Sequence, residues 1–348
     1  MAMPIVEAPR PVTGGIDTHL DAHVAAVVDV NGGVLAVESF PTTTAGFAEL
    51  HDWLVGFGEM ERVGVEGTGA YGAGLARHLR GCGLEVIEVD RPNRQARRRA
   101  GKSDPADAIE AARAVLAGRA TGIAKAGDGP IEAMRSLLIA KRSGREARIT
   151  CLNQLRHLGF CGPDGLREAL RGVPRKALAA RAAGLRPRAG SDVVTYATKL
   201  AMRTLGRRVL AIEADNTELD TLLADLVETT AGGLLAVQGV GVDTAAILLV
   251  AAGDNPERIR SEAAWAHLCG VAPLPASSGK LTRHRLNRGG NRQANHALWR
   301  IVFTRLASDP RTRVYVERRL NEGRSKPEIM RILKRYVARE VYRHLPRA

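Results

Sequence analysis

Residues 14–40, with the sequence GGIDTHLDAHVAAVVDVNGGVLAVESF, decide the fold of the first part of this chain. Polar and apolar residues alternate in GIDTHLDAH, and the runs VAAVVDV and VLAVESF that follow have the pattern of two further strands. Asn31-Gly32-Gly33 separates those two runs, and Asn-Gly between apolar runs is a strong signal for a hairpin turn. The stretch therefore predicts three strands joined by hairpins.

Helix and strand signals alternate after the hairpins. Asp104-Pro105 has the pattern of an N-cap followed by proline at the first helical position. The predicted elements are, in chain order, a helix through Leu54 capped by Thr44, a strand in VGVEG, a helix over Tyr71–Arg80, a strand in LEVIEVD and a helix over Ala106–Ala117. Hairpin-joined strands followed by β/α units predict an α/β domain of the RNase H type over residues 12–125.

Four acidic residues lie at particular points of this pattern. Asp17 is in the first predicted strand, and Glu66 ends a later strand just before a glycine-rich turn. Asp104 and Asp107, three residues apart, open a helix and share one of its faces. Carboxylates that converge from three elements are typical of sites that hold Mg²⁺ or Mn²⁺, hard ions that need oxygen ligands, against a phosphodiester. The four acids predict a metal-dependent nuclease site.

Each acid also has a structural interpretation. Asp104 before proline is a good N-cap, and Asp107 alone would be a first-turn acid favoured by the helix dipole. Asp17 and Glu66 are harder to explain in this way, because a carboxylate in a short apolar strand is costly unless it is paired or binds metal. Asp21 is a weaker fifth candidate.

Basic side chains are concentrated at one end of the chain. The net charge is +14, and residues 280–348 hold 19 basic and 5 acidic side chains while residues 1–279 hold 32 of each. Most of the excess is arginine, whose planar guanidinium suits phosphate contacts. A GC-rich genome, whose codons favour arginine, would explain the choice of arginine over lysine. It would not explain why the excess basic charge is confined to one end of the chain. The block predicts a polyanionic partner, with nucleic acid as the default.

The middle of the chain has a helical pattern. From about Ile131 to Thr230 strand signals vanish, and Ala, Leu and Arg recur at helical spacing with breaks at 161–165 and 184–190. This favours an all-α, coiled-coil-like connector over residues 131–230, an antiparallel arm that packs against another subunit. An ordinary helical bundle fits the pattern equally well.

A glycine-rich turn opens the last region, residues 231–348. LLAVQGVGVDTAAILLV has the form of a helix–hairpin–helix, with Gly239 and Gly241 in the turn and a helix from Asp243. Backbone amides at such a turn can bind a DNA phosphate without reading sequence. The same glycine spacing also serves as a plain turn between helices.

Other features of the sequence bound the class of protein. No apolar run approaches the ~20 residues needed to span a bilayer, and the first residues lack a charged-then-apolar signal pattern. The four cysteines are scattered without zinc-ligand or redox spacing, so they are predicted to be small core residues in a reducing compartment. We expect a soluble, cytoplasmic protein with no membrane partner.

Several motifs together resemble those of the DEDD transposases of bacterial insertion sequences, in particular the insertion-sequence 110 family. They occur in the family's order and cover nearly the whole chain. The most specific is the last, in which Ser-Gly is followed by an arginine-rich run. The matching stretches are GGIDTHLDAH, VGVEGTGAYG, GKSDPADA, QGVGVDTAA and AHLCGVAPLPASSGKLTRHRLNRGGNRQANHALW.

The resemblance implies a RuvC-like domain, a helical connector and a mostly helical C-terminal transposase domain with a catalytic serine. Asp17, Glu66, Asp104 and Asp107 match the metal ligands of the family. Ser278, immediately before Gly279, matches its nucleophile, although the residues alone would fit a plain turn and leave Ser277 as an alternative. The nucleic-acid contacts predicted on this basis are Gly239, Gly241, Lys280, Arg283, Arg285, Arg288 and Arg292.

The resemblance also implies partners. These are double-stranded DNA at the element ends and the target, a structured guide RNA encoded by the element, and further copies of the chain in a homodimer or homotetramer. The expected activity is RNA-guided cutting and rejoining of DNA, with Mg²⁺ or Mn²⁺ as cofactor, by a nucleoid-associated bacterial enzyme.

Two other classes of protein use part of the same pattern. A structure-selective endonuclease of the Holliday-junction resolvase type would use the four acids with water as nucleophile and would not need Ser278. A non-enzymatic nucleic-acid binder would keep the basic segment and lose nothing on mutation of Asp17. The Ser-Gly-Arg segment argues against the first class, and the four acids argue against the second.

Overall fold

The computed structural model describes residues 10–89, 103–276 and 284–346, which form two structural units. The first unit extends to Gly129 and also includes Ala252–Arg260. The second comprises Pro130–Ala251 and Ser261–Pro346. The first is a mixed α/β unit and the second is mostly helical, which confirms the predicted order of an α/β part followed by a helical part. The three-domain division at 125, 131 and 231 stays a prediction.

A six-stranded mixed sheet organises the first unit. Its strand order is β3-β2-β1-β4-β5-β6. Strand β2 is antiparallel to both β1 and β3, β4 and β5 are parallel to β1, and β6 is antiparallel to β5. The strands are β1 Pro11–Thr18, β2 Ala22–Val28, β3 Val34–Pro41, β4 Glu59–Glu66, β5 Glu85–Val89 and β6 Gly122–Ile123.

The predicted hairpins are confirmed. The turn between β2 and β3 contains Asn31 and Gly32, and Gly32 has the positive φ of 80° that such a turn requires. The Asp29 carboxylate accepts hydrogen bonds from the backbone N–H groups of Asn31 and Gly33, both at 2.8 Å, which closes the turn locally.

Three helices, α1 Thr44–Val55, α2 Ala73–Gly81 and α3 Asp104–Leu116, lie between the strands as expected. The predicted caps were each one residue late. Thr43, not Thr44, caps α1, and Ser103, not Asp104, caps α3 by accepting a hydrogen bond from the Ala106 N–H at 3.4 Å. Both caps have extended backbones that bring a hydroxyl over the first free N–H groups. The Asp104 carboxylate is therefore not used in capping.

Helix α3 packs directly on β1 and β4 because two glycines leave no side chain between them. A Cβ at Gly15 would lie 2.2 Å from the Ala112 nitrogen and 2.3 Å from the Ala108 oxygen. A Cβ at Gly64 would lie 2.8 Å from the Ala111 oxygen. The backbones of helix and strands thus set the separation of the two layers, so the position of α3 on the sheet is tightly fixed.

Gly15→Ala is expected to destabilise the first unit by about 1–3 kcal/mol or more, because the added methyl overlaps backbone atoms that cannot rotate away. Chemical denaturation followed by circular dichroism measures this loss. Gly81→Ala is the matched control: a Cβ at that helical position meets no atom within 4 Å, so it should be neutral or stabilising. Equal stability of the two variants would contradict the close approach of α3.

The opposite face of the sheet is covered by α1 and α2, which supply the main apolar core of this unit. Its fully buried members are Ile16, Ala25, Val27, Leu50, Leu54, Val63, Val65, Leu75, Leu79 and Ala124.

A later segment of the chain, Ala252–Arg260, completes the first unit at its β6 edge. The buried Asn255 side chain donates to the Ala124 carbonyl oxygen at 3.0 Å and accepts from the Ala126 N–H at 3.2 Å. Arg258 Nε donates to the Ile123 carbonyl oxygen at 3.1 Å. The sequence pattern did not predict that this segment belongs to the α/β unit.

Two long antiparallel helices, α4 Pro130–Cys161 and α7 Val193–Ala231, begin the second unit. Arg148 on α4 pairs with Glu213 on α7 at 2.6 Å, and Lys141 pairs with Asp220 further along, which fixes the antiparallel register. Between them lie α5 Asp164–Leu170 and α6 Arg175–Ala183, so both predicted breaks are confirmed. A third break around Gly172 and Pro174 was missed. Packing of this arm against another subunit stays a prediction.

The rest of the second unit is also mostly helical. Here α10 packs against α11 and α12, and α9 packs against α12. Among the described residues, no helix combines the length and the apolar character required to cross a membrane. The remaining elements are α8 Val242–Ala252, α9 Glu262–Leu268, β7 Leu274–Pro275, β8 His284–Arg285, α10 Arg292–Ser308, α11 Pro310–Asn321 and α12 Lys326–Tyr342.

The cysteine prediction is only partly right. Cys151 and Cys269 are buried core residues as expected, whereas Cys82 and Cys161 are exposed at the ends of helices. All four are free thiols, which agrees with the absence of paired spacing in the sequence.

Candidate functional site

Two buried carboxylates lie side by side at the ends of adjacent parallel strands. Ile16 of β1 pairs with Val65 of β4, so Asp17 and Glu66 are the next residues on the two strands. Asp17 is 5% exposed and Glu66 is 9% exposed. The Thr18 hydroxyl donates a hydrogen bond of 2.7 Å to the Glu66 carbonyl oxygen and ties the two strand ends together.

Helix α3 contributes the other two acids from above this edge of the sheet. Asp107 is 7% exposed, and Asp104 in the first turn is about half exposed. Gly15 and Gly64 precede Asp17 and Glu66 by two residues and so lie on the same face of the sheet, the face that contacts α3. The close packing of α3 is what brings the acids together.

The electrostatics of Asp17 reflect this crowding. Burial raises the pKa of Asp17 above its ordinary value, and the neighbouring Asp107 and Asp104 carboxylates raise it further. The nearby His19 ring acts in the opposite direction. A buried carboxylate with like charges beside it is costly in the absence of a cation, since both desolvation and repulsion disfavour the ionised form.

His19 is a member of the cluster that the sequence analysis missed. Its Nε2 lies 3.1 Å from Asp17 Oδ2 and 3.3 Å from Asp104 Oδ1. Ligand atoms of these three residues all lie within 4.8 Å of one another. The available signal was the Asp17-x-His19 spacing at a strand end, which places both side chains near one edge. His19 adds a nitrogen donor to the oxygen donors of the acids.

The donor set fits a divalent cation. Carboxylate oxygens are the ligands that Mg²⁺ and Mn²⁺ prefer, and an imidazole is compatible with Mn²⁺ and other transition ions. A bound cation would also compensate the desolvated charge of Asp17. The structure thus brings Asp17, His19 and Asp104 into ligand distance of one another, with Glu66 and Asp107 buried close by.

The fifth acid candidate lies apart from this cluster. Asp21 is exposed at the end of the β1–β2 connection, where its carbonyl oxygen accepts from the Thr42 N–H at 3.1 Å. Its position agrees with a role in the hairpin.

The predicted serine segment lies outside the described residues. This holds for Ser277, Ser278, Lys280 and Arg283. The residues on either side of the segment are paired: Pro275 with His284 and Leu274 with Arg285, in the short β7–β8 ladder.

Asparagines anchor the arginine-rich run that follows the serine segment. Asn287 Nδ2 donates to the His267 carbonyl oxygen at 3.0 Å, and Asn295 Nδ2 donates to the Cys269 carbonyl oxygen at 2.9 Å. The Asn291 carboxamide caps α10 by accepting from the Gln293 and Ala294 N–H groups. These contacts give the polar residues of NRGGNRQAN a structural role, while the arginines predicted to contact nucleic acid, Arg285, Arg288 and Arg292, are exposed.

The helix–hairpin–helix interpretation is not confirmed. A 3₁₀ turn, Gly232–Leu234, and a further connection separate α7 from α8. Gly239 has a φ of 80°, and a Cβ there would lie 3.1 Å from the Ile301 carbonyl oxygen of α10. Arg305 Nε donates to the Gln238 carbonyl oxygen at 2.7 Å. The Gly239 turn thus packs against α10 of the same unit, whereas Gly241 has open space around it.

A mixed sheet that gathers carboxylates at two strand ends beneath an acidic helix start is consistent with the DEDD, RuvC-like class of nucleic-acid enzymes. Comparison with known proteins agrees. Residues 14–158 match the DEDD model of the IS110 transposases, described as "Transposase", and residues 232–317 match "Transposase IS116/IS110/IS902 family". The chain belongs to this family of insertion-sequence transposases.

A relative from Streptomyces coelicolor is "Insertion element IS110 uncharacterized 43.6 kDa protein". It is 38% identical over 93 residues, which is 26% of this chain and 23% of the relative. The aligned part therefore spans less than a quarter of the length of that protein.

Proposed function

We propose that the protein is an insertion-sequence transposase that cuts and rejoins DNA in a reaction that requires a divalent metal ion. The observation that carries this proposal is that Asp17, His19 and Asp104 lie within ligand distance of one another, in a chain of a transposase family. Asp107 is close enough to Asp17 to affect its pKa, and Glu66 ends the neighbouring parallel strand. Family membership supports DNA as the substrate, and the acid cluster supports strand chemistry on a phosphodiester.

Asp17, Glu66, Asp104 and Asp107 would hold Mg²⁺ or Mn²⁺, with His19 as a further donor. Such an ion, when bound, neutralises charge that develops on the attacked phosphate. Asp17 and Glu66 lie on hydrogen-bonded strands, and Asp107 lies on a helix packed closely against strand glycines. As ligands, these three residues would be held in position before the substrate binds.

Ser278 would be the nucleophile, as the family resemblance implies. Its oxygen forms a bond to phosphorus while the bond from phosphorus to one deoxyribose oxygen breaks. The serine proton passes to a base, and the departing deoxyribose oxygen takes up a proton. The phosphoserine ester conserves the bond for rejoining to another strand. Lys280, Arg283, Arg285 and Arg288 would stabilise the negative charge on the phosphate oxygens.

The remaining partners are proposed on the same resemblance. A structured RNA encoded by the element would pair with donor and target DNA, and a homodimer or homotetramer would assemble the acids and the serine into complete sites. The excess of basic residues at 280–348, where there are 19 basic and 5 acidic side chains, supports a nucleic-acid partner. An enzyme of this kind would work on DNA in the nucleoid.

One experiment tests the proposal. The full-length protein is incubated with element-end DNA, the element RNA and Mg²⁺ or Mn²⁺, then denatured, and protein-linked DNA is sought on a gel. A metal-dependent, denaturation-resistant adduct supports the transposase. Cleavage without an adduct would replace it with a hydrolytic endonuclease of the Holliday-junction resolvase type, and binding without cleavage would leave only a nucleic-acid binder.

A further inference from the structure

A groove of about 530 Å³ in the second unit is lined by cationic side chains from α4 and α10. Among the described residues, six basic side chains line it against two carboxylates, those of Asp220 and Asp243. The basic set is Lys141, Arg142, Arg145, Arg148, Arg292 and Arg300.

Internal ion pairs compensate only part of this charge. Lys141 pairs with both Asp220 and Asp243, and Arg148 pairs with Glu213 at 2.6 Å.

The other four arginines are exposed and have no carboxylate partner in the parts of the chain that the structure describes. They are Arg142, Arg145, Arg292 and Arg300. The groove therefore offers guanidinium groups that can bind phosphate, two from α4 and two from the basic C-terminal block.

An exposed aromatic ladder on α10 borders the groove. His296, Trp299 and Phe303 follow one another at helical spacing, with ring centroids 5.6 Å and 5.2 Å apart and ring planes inclined by only 23° and 19°. His296 also lines the groove. Trp299 is 38% exposed and Phe303 is 59% exposed, so two adjacent, stacked aromatic rings are accessible at this surface.

The combination of basic groups with exposed aromatic ring faces favours an unpaired strand over a duplex. A duplex presents phosphates but keeps its base faces stacked, so it would use the arginines and leave the rings unoccupied. A strand with unpaired bases can lay its backbone along the arginines and stack bases on the aromatic ladder. Stacking is tolerant of sequence because every base has a π-face.

We propose that this groove and the α10 ladder bind an unpaired segment of a nucleic-acid strand. The backbone lies against Arg142, Arg145, Arg292 and Arg300, and a base stacks on Trp299 or Phe303. The inference deepens the proposed function, since it rests on a nucleic-acid substrate or guide, and it assigns a single-strand site remote in sequence from the four acids. The strand is either displaced DNA or unpaired guide RNA, which share this chemistry.

Fluorescence anisotropy with labelled 12-nucleotide oligo(dT), oligo(U) and a 12-base-pair duplex tests the site in full-length protein. Trp299→Ala should weaken binding of the unpaired oligonucleotides about 5- to 150-fold, the value of one stacked base, and leave duplex binding within about twofold. Trp299→Phe should retain most of the affinity. The ratio of oligo(dT) to oligo(U) affinity distinguishes displaced DNA from guide RNA.

The arginines are tested by salt dependence. Arg142→Ala with Arg145→Ala should lower the slope of log affinity against log salt for oligo(dT) by about 1.4, since each lost phosphate contact removes about 0.7. Arg186→Ala with Arg188→Ala removes the same charge from exposed positions outside the groove and should leave the slope unchanged.

Three outcomes overturn the inference. They are unchanged oligonucleotide affinity in Trp299→Ala, equal weakening of duplex and unpaired strands, and a loss of self-association in light scattering with binding intact, which would make the ladder a contact between copies. Circular dichroism verifies the fold of each variant. The groove residues do not include the four acids, so unchanged oligonucleotide binding by Trp299→Ala together with intact metal-dependent cleavage would overturn the inference and leave the proposed function standing.

Discussion

Asp17→Asn abolishes metal-dependent strand cleavage, with an expected loss of about 10³-fold or more. Asparagine keeps the size of the side chain but not the charge that holds a divalent ion, and metal stabilisation of the transition state is worth several kcal/mol, each 1.36 kcal/mol being tenfold in rate. Cleavage of labelled DNA at saturating Mg²⁺ or Mn²⁺ measures the effect. Asp21→Asn is the matched control, because that carboxylate is exposed and outside the cluster.

The same variant should not lose stability in the absence of metal. The folded-state pKa of Asp17 is raised, so its favourable contribution is complete at pH values below the unfolded pKa and is lost as pH rises through the folded pKa. At neutral pH the wild-type chain carries this cost and Asp17→Asn does not. In EDTA the variant should therefore melt at or above the wild-type temperature, whereas Mn²⁺ should stabilise only the wild type. Full cleavage by the variant would remove Asp17 from the metal site.

Ser278→Ala is expected to eliminate the covalent protein–DNA adduct, and Ser277→Ala is expected mostly to spare it. Only one hydroxyl of two adjacent residues is expected to point at the attacked phosphorus, and the family resemblance assigns that role to the serine that precedes glycine. Digestion of the trapped adduct and mass spectrometry of the modified peptide identify the linked residue. Arg283→Ala or Arg285→Ala should slow chemistry more than they weaken binding, which separates charge stabilisation from docking.

Two results would contradict the assignment of Ser278, and they lead to different conclusions. A nucleotide mass on Ser277 would move the nucleophile by one residue and keep the mechanism. Cleavage that continues in Ser278→Ala without any adduct would make water the nucleophile and turn the protein into a hydrolytic endonuclease.

Local pattern was sufficient for much of the first unit. Polar–apolar alternation in β1, β2 and β3 and the turn at Asn31 and Gly32 are short-range properties, and the structure confirms them. The predicted strands also placed Asp17 and Glu66 at strand ends. In the structure the two strands are parallel neighbours, so both residues lie at the same edge of the sheet. The structure also places Asp107 of α3 close enough to Asp17 to affect its pKa, while a shared metal site for all four acids stays a prediction.

Other features depended on contacts that no local pattern contains. Asp104 was assigned as a cap because it precedes proline, but Ser103 competes for the same N–H groups and leaves the carboxylate free. His19 was missed because the Asp17-x-His19 spacing by itself does not show that the imidazole lies between Asp17 and Asp104. The importance of Gly15 follows from backbone atoms of α3, almost a hundred residues away in sequence.

The return of residues 252–260 to the α/β unit has a consequence for how the chain can be divided. A fragment that stops at Gly129 lacks Asn255 and Arg258, so backbone groups of Ile123, Ala124 and Ala126 lose their hydrogen-bond partners at an open sheet edge. Such an edge invites pairing with other copies. The four acids proposed to bind metal are all encoded in the first third of the gene, yet the sheet that carries Asp17 and Glu66 is completed only after the helical arm has been synthesised. Release of a nascent chain before that point would yield an aggregation-prone intermediate.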